Sequence, residues 1–170
     1  MRYIIVLFIF TTFGYSLDPK PTTKIVASMV LDSEAEASKF PYEFSSFNQI
    51  AELSNFQFNV EVFDSLGAVR ELTIAAFKLA PFDYVLAIFG DSKDLMESVS
   101  GYPRLLGSTQ LFFRTDGKLL YKKARKIRLF IPWNNGSRVV RLKLTNTRYF
   151  AGVSALTKIK VNGRSYSHSP

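Results

Sequence analysis

The sequence predicts an all-β fold, an antiparallel β-barrel or sandwich of about seven or more short strands. Three observations lead to this prediction. Apolar residues recur at every second position in several segments, turns that contain glycine separate these segments, and no segment has a persuasive long helical pattern. The chain has 170 residues, of which 47% are hydrophobic, so it is long enough to bury the core of a single domain.

The elements follow from this pattern in chain order. A first strand is predicted over residues 22–31, followed by a polar connector and an irregular aromatic segment. Residues 50–55 fit either a short helix or a loop, and residues 95–106 fit a long loop. Further strands are predicted on both sides of a turn at 64–67 and over 84–89, 110–114, 118–122, 126–131, 137–144 and 157–161. The strand over 84–89 is continuously apolar, which indicates burial on both faces.

Four turns connect predicted hairpins. In the first, Asp64 and Ser65 precede Gly67; Asp can cap the turn backbone, and Gly tolerates a positive φ. The second has Asp116-Gly117 between apolar runs, a strong short-range hairpin signal. Residues 134–136 form a third turn, and Asn162-Gly163 has the sequence of a type I′ turn. We therefore expect these residues to define the fold.

Charge is divided unevenly along the chain. Residues 1–103 hold seven Lys or Arg and thirteen Asp or Glu, whereas residues 104–170 hold fifteen basic residues and Asp116 as the single acidic one. This split indicates either an anionic partner or solvated strand faces that protect sheet edges from aggregation. The candidate surface for an anionic partner consists of Lys122, Lys123, Arg125, Lys126, Arg128, Arg138, Arg141 and Lys143.

Signatures of an enzyme are scarce. The chain has no Cys, and its single His, His168, stands near the end of a polar tail, so the sequence predicts no metal site, no cofactor and no catalytic residue. Loop carboxylates could serve an enzyme only if two of them faced one cleft. The carboxylate pairs to consider are Glu34/Glu36, Glu61/Asp64 and Asp91/Asp94; Lys93 counts against calcium at the last pair.

The amino terminus has the layout of a secretory signal peptide. A basic start at residues 1–2 precedes an apolar run over 3–13, and small residues stand at Gly14 and Ser16. The run is too short to span a bilayer comfortably. The sequence therefore predicts a signal peptide over 1–16, and a single exported domain over 17–170 with a polar tail from about 165. It predicts no transmembrane span in the mature chain and, despite a pI near 9.7, no nucleic-acid partner.

Several phrases resemble the middle β-domain of bacterial flagellar hook proteins. VFDSLG at 62–67 is similar to the family's "VYDSLG", and LFFRTDGKL at 111–119 to its "LxFxxDGKL". The opening PTTKI at 21–25 with LDS at 31–33, and the closing VNGRSY at 161–166, resemble the entry to and exit from that domain. The phrases occur in the family's order.

The resemblance implies a β-domain without catalytic residues and without the long terminal segments that polymerise in hook subunits. We therefore expect a non-enzymatic structural or scaffolding module of the cell envelope, exported, periplasmic or associated with the flagellum. Its partners would be proteins such as flagellar basal-body or motor components.

Three alternatives remain at this stage. A binding module for anionic cell-wall polymer or polysaccharide predicts exposed aromatic residues around Tyr121, Trp133 and Tyr149. An enzyme predicts paired loop carboxylates in one cleft. A truncated hook gene with an accidental apolar start predicts an uncleaved precursor.

Overall fold

The computed structural model describes residues 20–41, 43–96, 102–120, 125–152, 154–162 and 164–166, the last three by their backbone alone. Within these residues the chain forms ten strands and one α-helix. The elements are β1 (Lys24–Asp32), α1 (Phe47–Leu53), β2 (Phe56–Phe63), β3 (Val69–Ala80), β4 (Asp83–Asp91), β5 (Pro103–Phe112), β6 (Lys126–Trp133), β7 (Gly136–Leu144), β8 (Arg148–Phe150), β9 (Ala155–Val161) and β10 (Arg164–Tyr166). A single 3₁₀ turn over Ser92–Asp94 follows β4.

The strands form two sheets. Strands β2, β3, β4 and β5 pair in sequence order and are all antiparallel; we call this the meander sheet. The other sheet has the order β10-β9-β1-β7-β6, with β8 also pairing with β1; we call it the mixed sheet. The all-β prediction is confirmed in its sandwich form. The pairing differs from the predicted antiparallel arrangement at one strand, because β1 runs parallel to β7 and β8.

The main core lies between the two sheets. Alternation along each strand sends every second side chain inward, as Ile25 and Met29 show on β1, and both are fully buried. The inward set predicted for the first hairpin, on residues 56–62 and 72–76, faces this core. Trp133 at the end of β6 is 1% exposed and is the largest fully buried side chain among the described residues.

A second core covers the other side of the meander sheet. Phe77 of β3 and Phe89 of β4 point away from the main core and contact Phe44, whose ring lies 5.6 and 5.0 Å from theirs. Helix α1 adds the fully buried Ile50. This explains why β4 is apolar on both faces, as predicted, and confirms a short helix within residues 47–53.

The second predicted hairpin is described as far as residue 120. After the Asp116-Gly117 turn, the two arms are joined by a bridge between Phe113 and Leu119 and by hydrogen bonds from the Arg114 N–H to the Lys118 carbonyl, at 2.8 Å, and from the Leu120 N–H to the Phe112 carbonyl, at 2.7 Å. Lys118 also forms a bridge with Arg148 of the mixed sheet, and the end of the predicted return strand, at 121–122, lies outside the described residues. Residues 103–106, expected in a loop, begin β5.

The signal peptide predicted over 1–16 and the position of His168 lie outside the described residues. Within the described residues, no helix combines the length and the apolar character needed to cross a membrane.

Candidate anion-binding face

Strand register brings basic residues into rows across the outer face of the mixed sheet. In the first row Lys24 of β1 is paired with Arg141 of β7, which is paired on its other side with Arg128 of β6. Paired residues on neighbouring strands point to the same side of a sheet, and neighbouring strands lie about 4.8 Å apart. Three cationic side chains therefore stand side by side.

A second row lies two residues further along the strands, at a distance of about 7 Å. It contains Lys126 paired with Lys143, then Val26, then Lys160 on β9. Beyond it, Lys158 is paired with Ser28 and Arg148 with Val30. We call this set the basic face; it comprises Lys24, Lys126, Arg128, Arg141, Lys143, Arg148, Lys158 and Lys160. All are exposed except Lys160 and Arg148, which are half-buried.

An open groove of about 520 Å³ runs along the first two rows. Its lining is Lys24, Lys126, Ile127, Arg128, Arg141, Leu142 and Lys143, so that five of its seven residues are basic. Such a groove gives an anion several cations within reach at once.

Carboxylates do not neutralise this face in the described part of the chain. The ion pairs there belong to Arg70, Lys93, Arg114 and Lys118, none of which is on the basic face. The first carboxylate along β1 on this side is Asp32, at the far end of the strand, where its Oδ1 accepts from the N–H groups of Glu34 and Gly152. Directly opposed like charges destabilise a sheet, so the face carries an uncompensated electrostatic cost.

The basic face includes part of the predicted anionic-partner surface. Lys126, Arg128, Arg141 and Lys143 are brought together, and the exposed Arg125 immediately precedes them. Arg138 is not part of it: it is half-buried and has the same parity along β7 as the buried Val140, on the opposite side from Arg141. Lys122 and Lys123 lie outside the described residues.

Sequence reasoning missed Lys24, Arg148, Lys158 and Lys160. Each of them is followed in the chain by a buried apolar or aromatic residue, a signal that is visible in the sequence. Their position beside Arg141 and Lys143 depends on the parallel pairing of β1 with β7, which joins residues more than one hundred positions apart.

The turn at 64–67 is a junction between the two sheets. The fully buried carboxylate of Asp64 accepts hydrogen bonds from the backbone N–H groups of Leu66 and Ala68, at 2.9 and 3.0 Å. Its Oδ2 accepts from Arg70 Nε at 2.9 Å and from Asn135 Nδ2 at 2.7 Å. Because Asn135 lies in the β6–β7 turn, Asp64 ties the meander sheet to the mixed sheet.

Neighbouring groups complete this junction. Arg70 Nη1 donates to Asp94 Oδ1 at 2.6 Å, and Ser65 Oγ donates to the Gly136 carbonyl at 2.9 Å. Burial acts to raise the pKa of Asp64, but the hydrogen bonds from Asn135, Arg70 and the turn backbone outweigh burial and hold that pKa below its ordinary value. Asp64 is therefore a structural anion, unsuited to act as a proton donor at neutral pH.

The turn at Asp116-Gly117 also contacts the mixed sheet. Gly117 has a φ of +71°, and a Cβ atom there would lie 2.5 Å from the Tyr149 carbonyl oxygen, so glycine is required. The Tyr149 N–H donates to the Gly117 carbonyl at 3.0 Å. The Asp116 carboxylate is more exposed than that of Asp64; a hydrogen bond from the Lys118 backbone N–H lowers its pKa.

Asn162 has a larger role than its predicted turn. It has the expected positive φ of +48°, and its Oδ1 also accepts from the Thr23 N–H at 2.9 Å. Its Nδ2 donates to the Pro21 carbonyl at 3.0 Å, so the side chain fastens the segment that leads into β1. Gly163 lies outside the described residues.

Of the predicted carboxylate pairs, Asp91 and Asp94 line one pocket of about 230 Å³ together with Glu71, as the enzyme alternative requires. Asp91 pairs with Lys93 at 2.9 Å, and Asp94 and Asp64 both pair with Arg70. No group of three or more potential metal ligands occurs in the described ranges. Trp133 and Tyr149 are 1% and 6% exposed, so the expectation that they form an exposed sugar platform is wrong; Tyr121 lies outside the described residues.

No family model matches this chain, and no curated protein matches it. The resemblance to hook proteins therefore stays a prediction that depends on the quoted phrases.

Proposed function

We propose that this chain is a non-enzymatic interaction module that docks an anionic partner on its basic face. The observation that carries the proposal is the row formed by Lys24, Arg141 and Arg128, three directly opposed cations with no carboxylate partner among the described residues. A protein keeps such a destabilising arrangement where it serves a function. An anionic partner would remove the repulsion on binding.

The setting we propose is the cell envelope, where the partner is an anionic wall polymer or the surface of another component. The apolar start of the sequence supports export, and the roles of the described carboxylates in ion pairs and turns support a non-enzymatic module. A narrower proposal places the module as a scaffold near the flagellar hook or basal body. Its support is that the DSLG and TDGK phrases both form the tight turns that the resemblance implies.

The proposed function is tested by titrating the folded chain with inorganic polyphosphate, a soluble linear polyanion, in a calorimeter. We expect saturable binding, with the logarithm of the binding constant falling linearly with the logarithm of the salt concentration. The double variant Lys24→Gln/Arg141→Gln removes two opposed cations of the first row and should weaken binding by at least 10-fold, since each cation near a highly charged anion contributes about 5-fold.

The matched control is Lys93→Gln/Arg114→Gln, which removes one Lys and one Arg that are 63% and 60% exposed and lie outside the basic face. Equal loss in both double variants would show that binding follows total charge and would refute the basic face as the site. A single-stranded oligonucleotide of equal charge should bind no more tightly than polyphosphate. Markedly tighter binding would replace the proposal with a nucleic-acid partner.

The flagellar proposal is tested separately by crosslinking in cells, affinity purification of the tagged chain, and mass spectrometry of its partners and of its own amino terminus. Basal-body or motor proteins, with a mature start near Leu17, are the expected result. Their absence would leave the anionic-partner proposal intact and remove the flagellar one.

A further inference from the structure

We propose that the partner of the basic face is the surface of an anionic lipid bilayer, and that an apolar border beside the first row enters the headgroup layer. This inference rests on the proposed function and names the partner of the same site. Two features favour a lipid surface over a soluble polymer: exposed apolar side chains beside the first row, and the spread of the cations across several strands.

The apolar border is a cross-strand pair. Phe130 of β6 is paired with Val139 of β7, and both have the parity of the neighbouring basic residues Arg128 and Arg141. Phe130 is 61% exposed and Val139 38% exposed. An aromatic and a β-branched side chain directly beside three cations give a surface that is cationic along one row and apolar along the next.

The same end of the sandwich presents further apolar side chains. Leu66, 79% exposed, lies in the turn that is joined to the β6–β7 turn through Asp64 and Asn135. Met96, 64% exposed, donates its backbone N–H to the Pro132 carbonyl at the end of β6. Both residues lie near the β6–β7 turn, the end of the mixed sheet toward which the Phe130–Val139 pair lies.

A soluble polyanion would not bury the apolar border on binding, because its backbone and counterions stay in water. A bilayer surface can bind both the basic face and the apolar border. Its anionic headgroups attract Lys and Arg, and the boundary with the acyl chains accepts Phe and Leu side chains. The shape also fits. Cations spread across four strands, β6, β7, β1 and β9, form a two-dimensional array, which suits a plane of headgroups better than a single file of charges.

The experiment is co-sedimentation of the folded chain with vesicles of phosphatidylcholine alone and of phosphatidylcholine with 30% phosphatidylglycerol, beside the polyphosphate titration. We expect binding to the anionic vesicles alone. Lys24→Gln/Arg141→Gln should weaken vesicle binding by about 25-fold, since each of the two cations contributes about 5-fold.

The deciding variant is Phe130→Ser. It should weaken vesicle binding by about 10-fold, as expected for partial burial of one aromatic side chain, and leave the affinity for polyphosphate unchanged. Tyr102→Ser is the matched control, because Tyr102 is an aromatic residue exposed to a similar extent, 53%, and lines a pocket with Phe44 on the far side of the meander sheet. It should bind both partners as the parent chain does.

Two results would overturn the inference. One is binding to polyphosphate without binding to anionic vesicles, which leaves the proposed function standing and assigns the face to a soluble polymer. The other is vesicle binding that is equally strong in Phe130→Ser, which shows simple charge attraction without insertion. If the parent chain bound neither polyphosphate nor vesicles, the proposed function itself would be refuted.

Discussion

The outer faces of the two sheets differ in what covers them. On the meander sheet, Phe77 and Phe89 lie beneath helix α1 and the aromatic segment that precedes it, so this face is part of the interior. On the mixed sheet, the corresponding face is lined by exposed Lys and Arg side chains, with no described element lying over them. One face is covered by other parts of the chain, and the other is uncovered among the described residues.

The two faces should differ in their contribution to the stability of the fold. The covered face has aromatic contacts that stabilise the fold, whereas the bare face has like-charged neighbours that weaken it. A substitution should therefore act in opposite directions on the two faces.

The largest effect is expected from Phe77→Ala on the covered face. Phe77 is fully buried, with ring centroids 5.1 Å from Phe40 and 5.6 Å from Phe44, and its removal leaves a cavity. We expect the free energy of unfolding to fall by about 4 kcal/mol. Phe130→Ala on the bare face should change it by less than about 0.5 kcal/mol. Equilibrium denaturation in urea measures both, and equal losses would contradict the distinction between the faces.

A smaller loss is expected where the two sheets are joined. Asp64→Ala removes the carboxylate that holds Asn135 and Arg70, and we expect a loss of about 3 kcal/mol because buried hydrogen-bond donors are left unpaired. Asp116→Ala, at a carboxylate that is 40% exposed, is the control and should cost less than about 0.5 kcal/mol. Similar losses would mean that the Asp64 junction does not hold the sheets together.

The same residue predicts a pH dependence. Because the folded-state pKa of Asp64 is below its ordinary value, the charged form stabilises the fold above the unfolded pKa of about 4. This stabilisation is lost as pH falls through the lowered folded-state pKa. The stability curves of the parent chain and Asp64→Ala should therefore approach each other in acid, and a constant difference down to pH 2 would refute the assignment.

The smallest effect has the opposite sign. Arg141→Gln removes the middle cation of the first row and should raise the free energy of unfolding by about 0.5 kcal/mol at low salt, with the gain shrinking as salt screens the repulsion. Arg114→Gln, whose Nε lies 3.8 Å from Asp116, should give no gain. A loss of stability in Arg141→Gln would indicate that the row is not a source of strain.

The alternation of apolar and polar residues along the strands explains how much of the fold and of the basic face could be predicted from the sequence. It identified the strands, the inward residues of the first hairpin and the outward Lys126, Arg128, Arg141 and Lys143, because the β6–β7 hairpin is local. It could not place Lys24 or Lys160 beside them, since a pairing across more than one hundred residues leaves no local signal. The same limit hid the partner of Asp64, because Asn135 lies 71 positions away.

Arg138 and residues 40–54 show two other limits. Arg138 was grouped with its basic neighbours by composition, although counting from the buried Val140 places it on the other side of the strand. The aromatic segment was recognised as apolar but irregular, and the sheet that it covers depends on tertiary contacts.

The position of β1 has a consequence for the order in which the chain folds. The meander sheet is built from residues 56–112 alone, so it can form as soon as that stretch has been synthesised. Strand β1 is made earlier, yet its sheet partners begin at Gly136. At roughly 5–20 residues per second, β1 waits for on the order of ten seconds with Ile25, Met29 and Leu31 unburied. Of the strands described, it is the one most exposed to mispairing before the fold closes.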